Sequence, residues 1–144
     1  KKNIINLNIY LMLNFSEEIN QMTKRALVEY QNSPLKKRAN QDRLNATGNI
    51  YFIFSDGVLK YIGQRQAKGI RTRLDQHLFG KSYSVDQNNK QNGTISKWDK
   101  VKYELNIGKE INFKTILIEP DSLRTTIELE LISLLKPDWN IQGK

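Results

Sequence analysis

The sequence predicts an α+β fold: a small, mainly antiparallel sheet of three strands flanked by helices, with an N-terminal helical extension. Residues 50–54 and 58–62 are short runs of β-forming side chains separated by Ser-Asp-Gly, which is typical of a hairpin turn. Residues 112–120 form a third such run that ends at a proline. Segments with helical spacing of apolar residues precede and follow these strands, a mixture that favours helices packed on an antiparallel sheet.

Residues 1–47 are predicted to be a helical extension. Ser16 followed by two glutamates is typical of a helix start, because the hydroxyl caps free backbone N–H groups and the acids oppose the helix dipole. Asn-Ser-Pro at 32–34 ends this helix, and a second, basic helix is predicted over 35–45. We expect the extension to bind DNA or a second subunit.

Residues 48–144 are predicted to form the main domain. After the hairpin, apolar residues four apart predict a helix over about 68–79. A loop-rich insert is predicted over about 80–112, where residues 97–105 fit either a strand or a short helix. Asp121 or Ser122 is predicted to cap a last, partly buried helix that ends at a proline.

Composition excludes several kinds of site. The chain of 144 residues has no cysteine, which removes disulfides, thiol catalysis and zinc fingers. Its single histidine excludes a multi-histidine metal site. No run of 18 apolar residues is present, and the N-terminus has no small-residue cleavage site, so we expect neither a membrane span nor a signal peptide.

Positive charge is concentrated in two stretches. The net charge is +8, which favours a polyanionic partner, although a solvated basic surface would give the same total. Residues 60–81 carry six basic residues against one acid, and residues 24–43 carry six against two. Such clusters suit phosphate contacts, and Arg65, Lys68 and Arg71 are the predicted DNA contacts in the first stretch.

Six residues are candidates for chemistry, although each has an ordinary structural role. Strand tyrosines and helical arginines most often pack or face solvent. In chain order, however, the sequence reads Asn-Ile-Tyr at 49–51, Tyr-Ile-Gly at 61–63, an Arg-x-x-x-His, a helical glutamate, and an asparagine after a proline. The six candidates are Tyr51, Tyr61, Arg73, His77, Glu128 and Asn140.

This order strongly resembles the GIY-YIG nuclease family, over residues 48–79 and 113–141. The departure is Asn49, where the family motif usually has glycine, although Gly48 is adjacent. The resemblance implies metal-dependent hydrolysis of a DNA phosphodiester. It implies a GIY-YIG-like fold with the strands and helices predicted above.

The resemblance also implies residue roles. Glu128 would hold one divalent ion, Mg²⁺ or Mn²⁺, since hard cations prefer oxygen ligands and keep several waters. Arg73 would donate to phosphate oxygens through its planar fork. Tyr51 would be the general base for water, with His77 or a neighbouring cation easing its deprotonation, which near neutral pH needs a pKa lowered by roughly 3 units.

Three further residues have supporting roles in this interpretation. Tyr61 would orient water or phosphate. Asn140 would fix the end of the last helix and the site beneath it. Lys97 is an additional candidate for a phosphate contact.

The predicted protein is therefore a stand-alone, restriction-type or phage-type endonuclease acting on double-stranded DNA. It is expected in the cytoplasm of a bacterium or a phage-infected cell, without membrane contact. A homodimer or higher homo-oligomer would let a small subunit cut both strands. The alternatives are a catalytically weak basic DNA-binding module, and a homing-type or repair-type nuclease or RNase of the same fold.

Overall fold

The computed structural model of the chain describes residues 2–39, 41–81 and 96–140, with the backbone alone for residues 2–13, 41 and 42. The fold is α+β, with helices on both faces of an antiparallel sheet. The elements are helices α1 (Lys2–Asn32), α2 (Ile70–Phe79), α3 (Trp98–Asn106) and α4 (Arg124–Leu135), and strands β1 (Lys36–Lys37), β2 (Ile50–Ser55), β3 (Val58–Gln64) and β4 (Ile111–Ile116).

The described part of the sheet has four strands in the order β1-β4-β2-β3, one more than predicted. The additional strand β1 pairs Lys36 with Phe113 and Lys37 with Asn112. The basic helix predicted over 35–45 is therefore wrong. Hydrogen bonding to β4, which no local pattern reveals, replaces it with a two-residue strand and a short 3₁₀ turn at Gln41–Asn45.

The predicted hairpin is confirmed, with β2 between β4 and β3 and with β3 at the edge of the described sheet. Asp56 and Gly57 both have positive φ, of 46° and 79°, as a tight two-residue hairpin turn requires. Every residue of β2 is buried, because both faces of the sheet are covered. Even-numbered side chains such as Phe52 contact α1 and α4, and odd-numbered ones such as Tyr51 contact α2 and α3.

Helix boundaries differ from the prediction in three places. Helix α1 starts before Ser16, whereas its predicted end at Asn-Ser-Pro is confirmed. Residues 97–105, which fit a strand or a helix, form most of α3, which lies within the segment predicted to be loop-rich; residues 82–95 of that segment lie outside the described residues. Neither Asp121 nor Ser122 caps α4, because the N-cap position is Leu123, which has no side-chain cap; the Asp121 carboxylate instead accepts hydrogen bonds from Asn49 and Arg124.

None of the helices in the described ranges combines the length and apolar character needed to cross a membrane.

Candidate active site

Tyr51 and Gly63 are direct neighbours across the hairpin. The Tyr51 ring lies over Gly63 so closely that a Cβ at position 63 would overlap the phenol. Glycine is therefore required at the end of the Tyr-Ile-Gly motif for a steric reason, since it leaves room for the side chain on the neighbouring strand. Tyr61 lies on the same face of the hairpin, opposite Ile53.

Three rings form a buried cluster beneath α2. The His77 ring centre is 5.3 Å from those of Tyr51 and Tyr61, and the two tyrosine rings are 6.2 Å apart. The exposed fractions of His77 and Tyr51 are 0% and 1%, whereas that of Tyr61 is 8%. Helical periodicity places Arg73 one turn before His77, and both side chains face the sheet.

Hydrogen bonds fix the tautomer of His77. The backbone N–H of Lys97 donates to Nδ1 over 2.9 Å, so Nδ1 must be unprotonated. Burial, Arg73 and Lys97 hold the pKa of His77 well below its usual 6.5, so the ring is neutral and its proton is on Nε2. Nε2–H then donates over 2.7 Å to the hydroxyl oxygen of Tyr51. The proton of the Tyr51 hydroxyl is then free to be directed toward Tyr61, and its hydrogen-bonding interaction acts to lower the pKa of Tyr61.

Arg73 brings a buried positive charge to the same oxygen. Its side chain is 5% exposed, and its Nη1 donates over 2.6 Å to the Gln76 amide oxygen. Gln76 is uncharged, so this hydrogen bond orients the guanidinium without neutralising it. The charge of the guanidinium and its hydrogen-bonding interaction with Tyr51 both act to lower the pKa of that phenol.

Burial, rather than charge, dominates the ionisation of the two phenols. It raises the pKa of Tyr51, and the charge and hydrogen bond of Arg73 only partly offset that increase. Burial likewise raises the pKa of Tyr61. In the protein alone both side chains are therefore neutral phenols at ordinary pH, and Tyr51 would need further positive charge to act as a base.

A cavity of about 490 Å³ opens beside this cluster. Its lining carries both tyrosines, a single carboxylate and four cationic side chains. His77 lies behind Tyr51 and is not part of the lining. The lining residues are Tyr51, Tyr61, Gln64, Arg65, Gln66, Lys68, Gly69, Arg73, Arg124 and Glu128.

The predicted DNA contacts divide into two groups. Arg65 and Lys68 line the cavity, as a phosphate contact requires. Arg71 does not line it, and its Nη1 donates over 2.9 Å to the Leu44 carbonyl oxygen. The Nζ of Lys97 lies 5.2 Å from the centre of the Tyr61 ring, at the edge of the ring cluster.

Arg124 is a cavity residue that the sequence interpretation missed. It donates over 2.6 Å to the Gln64 side chain and forms an ion pair with Asp121. It precedes Glu128 by four residues on α4, so helical spacing alone would have placed the two on one face.

Asn140 does not line the cavity, and its role in holding the end of the last helix stays a prediction. Its side chain instead pairs with the backbone of Ile62, accepting from the N–H and donating to the carbonyl oxygen, both over 2.8 Å. The N–H of Trp139 also donates to the Lys60 carbonyl oxygen over 2.8 Å. These bonds hold the outer edge of β3, and with it Tyr61, in place.

Glu128 is suited to hold a divalent cation. Within the described residues its carboxylate has no hydrogen bond or ion pair, and burial raises its pKa to about 7. No cluster of three or more metal-ligating side chains occurs in the described ranges. A single carboxylate fits Mg²⁺, which commonly takes one or two carboxylates and completes its shell with water and substrate phosphate.

Comparisons with protein-family models, with curated proteins and with solved structures found no match for this chain.

Proposed function

We propose that this protein is a divalent-metal-dependent endonuclease of GIY-YIG type that hydrolyses phosphodiester bonds in double-stranded DNA. The observation that carries the proposal is the cavity that gathers Tyr51, Tyr61, Arg73 and Glu128, which come from four separate elements. A stand-alone restriction-type or phage-type enzyme is the form we favour, with cytoplasmic DNA as the substrate and a symmetric dimer as the means of cutting both strands.

Charge supports a phosphate as the occupant of the cavity. Four cationic side chains and one carboxylate line it. Arg73 is the most buried of the four, and guanidinium forks match the oxygens of a phosphate. The remaining three, Arg65, Lys68 and Arg124, lie around the cavity where they would hold the DNA backbone on either side.

The donors around Tyr51 support its role as the base that takes a proton from water. His77 Nε2–H donates to its oxygen and the positive charge of Arg73 acts on it, and both would stabilise a phenolate. Because His77 is held neutral by burial, it acts as a donor and not as a proton acceptor. A cation bound at Glu128 would add positive charge to the cavity, and this charge would oppose the rise in the pKa of Tyr51 that burial causes.

A DNA-binding module without useful activity is the second candidate. It is favoured by the raised pKa values of Tyr51 and Tyr61, which keep both phenols neutral in the protein alone. In that case the basic cavity would bind a phosphate of the DNA without hydrolysis of the phosphodiester bond.

Incubation with supercoiled plasmid separates the two candidates. We expect nicked or linear DNA with Mg²⁺ or Mn²⁺ and intact DNA with EDTA, while binding persists in both. Salt-sensitive binding without cutting under any metal condition would replace the nuclease with the binding module.

A further inference from the structure

A second cavity adjoins the candidate active site. It has a volume of about 470 Å³, and it shares Gln66 and Lys68 with the first cavity. Its opposite wall is the segment 117–121, which follows β4. A DNA strand with a phosphate in the first cavity would therefore continue directly into the second cavity.

The chemistry of the two cavities differs. Cationic side chains dominate the first, whereas the second combines the apolar side chains of Leu117 and Pro120 with two carboxylates, Glu119 and Asp121. Carboxylates repel a phosphate but accept hydrogen bonds from the amino group of a base. Leu117 is 47% exposed, so its apolar surface is accessible to a flat ring.

Glu119 is the carboxylate available to a ligand. Asp121 already accepts hydrogen bonds from Asn49 and Arg124, whereas Glu119 is exposed and has no hydrogen bond or ion pair with another described residue. On the major-groove edge, cytosine and adenine present an exocyclic amino group that such a carboxylate can accept from, whereas guanine presents only acceptors there.

The wall that carries Glu119 is held in a fixed position. The Asn49 side chain donates to the Ile118 carbonyl oxygen over 2.9 Å and accepts from the Ile118 N–H over 2.8 Å. Asn49 is fully buried, so these bonds are shielded from water. Asn49, which replaces the usual glycine of the first motif, therefore positions the segment beside the second cavity.

We infer that the second cavity receives the base of the nucleotide next to the phosphate that is cut, and that Glu119 selects cytosine or adenine there. This inference rests on the proposed nuclease function. It adds a residue that determines sequence preference at a position outside the catalytic cluster.

The test compares cut sites in a DNA library of random sequence, by sequencing the product ends. Wild-type protein is compared with Glu119→Lys and with Glu29→Lys. The second variant makes the same charge change at an exposed residue of α1 that lines neither cavity. We expect wild type and Glu29→Lys to favour cytosine or adenine at one position beside the cut. Glu119→Lys should shift that position toward guanine by about five-fold or more, since lysine donates to guanine O6 and N7.

The outcomes separate the two proposals. Cutting by Glu119→Lys with wild-type base frequencies would overturn the base site and leave the nuclease intact. Absence of cutting by wild type would overturn the nuclease, and the base site with it. If Glu119→Lys itself does not cut, Glu119→Gln should narrow the preference to adenine, and unchanged frequencies in that variant would equally overturn the inference.

Discussion

The Nε2–H of His77 donates a hydrogen bond to the phenol oxygen of Tyr51 over 2.7 Å. This bond links the only histidine of the chain to the tyrosine of the first motif. The direction of this bond follows from the opposite side of the ring, where the Lys97 N–H can only donate. The imidazole is therefore a fixed donor to Tyr51, and α3 takes part in the site through the backbone N–H of its N-cap residue, Lys97.

Nitrogen-15 NMR tests this tautomer directly, since the single histidine gives an unambiguous signal. We expect the Nε2–H form, and no titration of the ring as the pH is lowered through 6.5, because burial, Arg73 and Lys97 hold the pKa of His77 well below that value. A ring protonated on Nδ1, or a titration midpoint near 6.5, would contradict the assigned bond direction.

Gly63→Ala is expected to destabilise the fold and abolish cleavage. The added methyl would overlap the Tyr51 ring, and overpacking of this kind costs about 1–3 kcal/mol. In a Tyr51→Leu background, where no ring reaches Gly63, the same change should cost clearly less. Urea denaturation of the four proteins measures the difference, and equal costs in both backgrounds would exclude the steric explanation.

Asn140→Ala is expected to lower the free energy of unfolding by about 2 kcal/mol, since it leaves the buried N–H and carbonyl of Ile62 without their partner. Cleavage should fall as well, because β3 carries Tyr61. The exposed Asn106→Ala serves as the control, with wild-type stability expected. An inactive Asn140→Ala protein of unchanged stability would instead point to direct contact with the substrate.

Glu128→Gln is expected to stabilise the protein above pH 7. Burial raises the folded-state pKa of Glu128 from 4.5 to about 7, so the folded protein binds the proton more tightly than the unfolded chain. The associated stability is complete below pH 4.5 and is lost as the pH rises through 7. Glutamine removes this dependence, and we expect a gain of about 1–2 kcal/mol at pH 8 after allowance for solvent screening.

Thermal unfolding of both proteins at pH 8 and pH 5 measures this effect. The stability contribution of His77 has the opposite pH dependence, because its pKa is lowered by folding, but both proteins retain it and it cancels in the difference. Mg²⁺ at pH 8 should raise the unfolding temperature of wild type alone. A Glu128→Gln protein less stable than wild type at pH 8 would show that the carboxylate has a structural partner.

Local sequence patterns were sufficient for the elements that carry the site. The runs of β-forming residues at 50–54 and 58–62, separated by Ser-Asp-Gly, correctly predict the hairpin, and the four-residue spacing of Arg73 and His77 correctly places both on one face of α2. Such features depend on residues close in the chain, so the sequence reveals them.

Contacts between distant segments were not predictable in the same way. Strand β1 exists only because residues 36–37 pair with β4, and Asn140 finds its partner in Ile62, 78 positions away. His77 is buried by contacts with Tyr51 on β2, Tyr61 on β3 and the backbone of Lys97 before α3. A single histidine in a sequence, by contrast, suggests a solvated side chain. Arg124 is the exception, because its spacing from Glu128 on α4 was available in the sequence.

The most direct test of the proposed function is cleavage of a DNA duplex by Glu128→Gln and Glu130→Gln, with affinity measured in parallel. Both variants replace a carboxylate on α4 by an amide of the same shape, but Glu130 is exposed and does not line the cavity. We expect Glu130→Gln to cut at the wild-type rate, and Glu128→Gln to bind DNA but lose at least 10²-fold in rate (about 3 kcal/mol). Equal cutting by the two variants would contradict the assignment of this cavity as a metal-dependent active site.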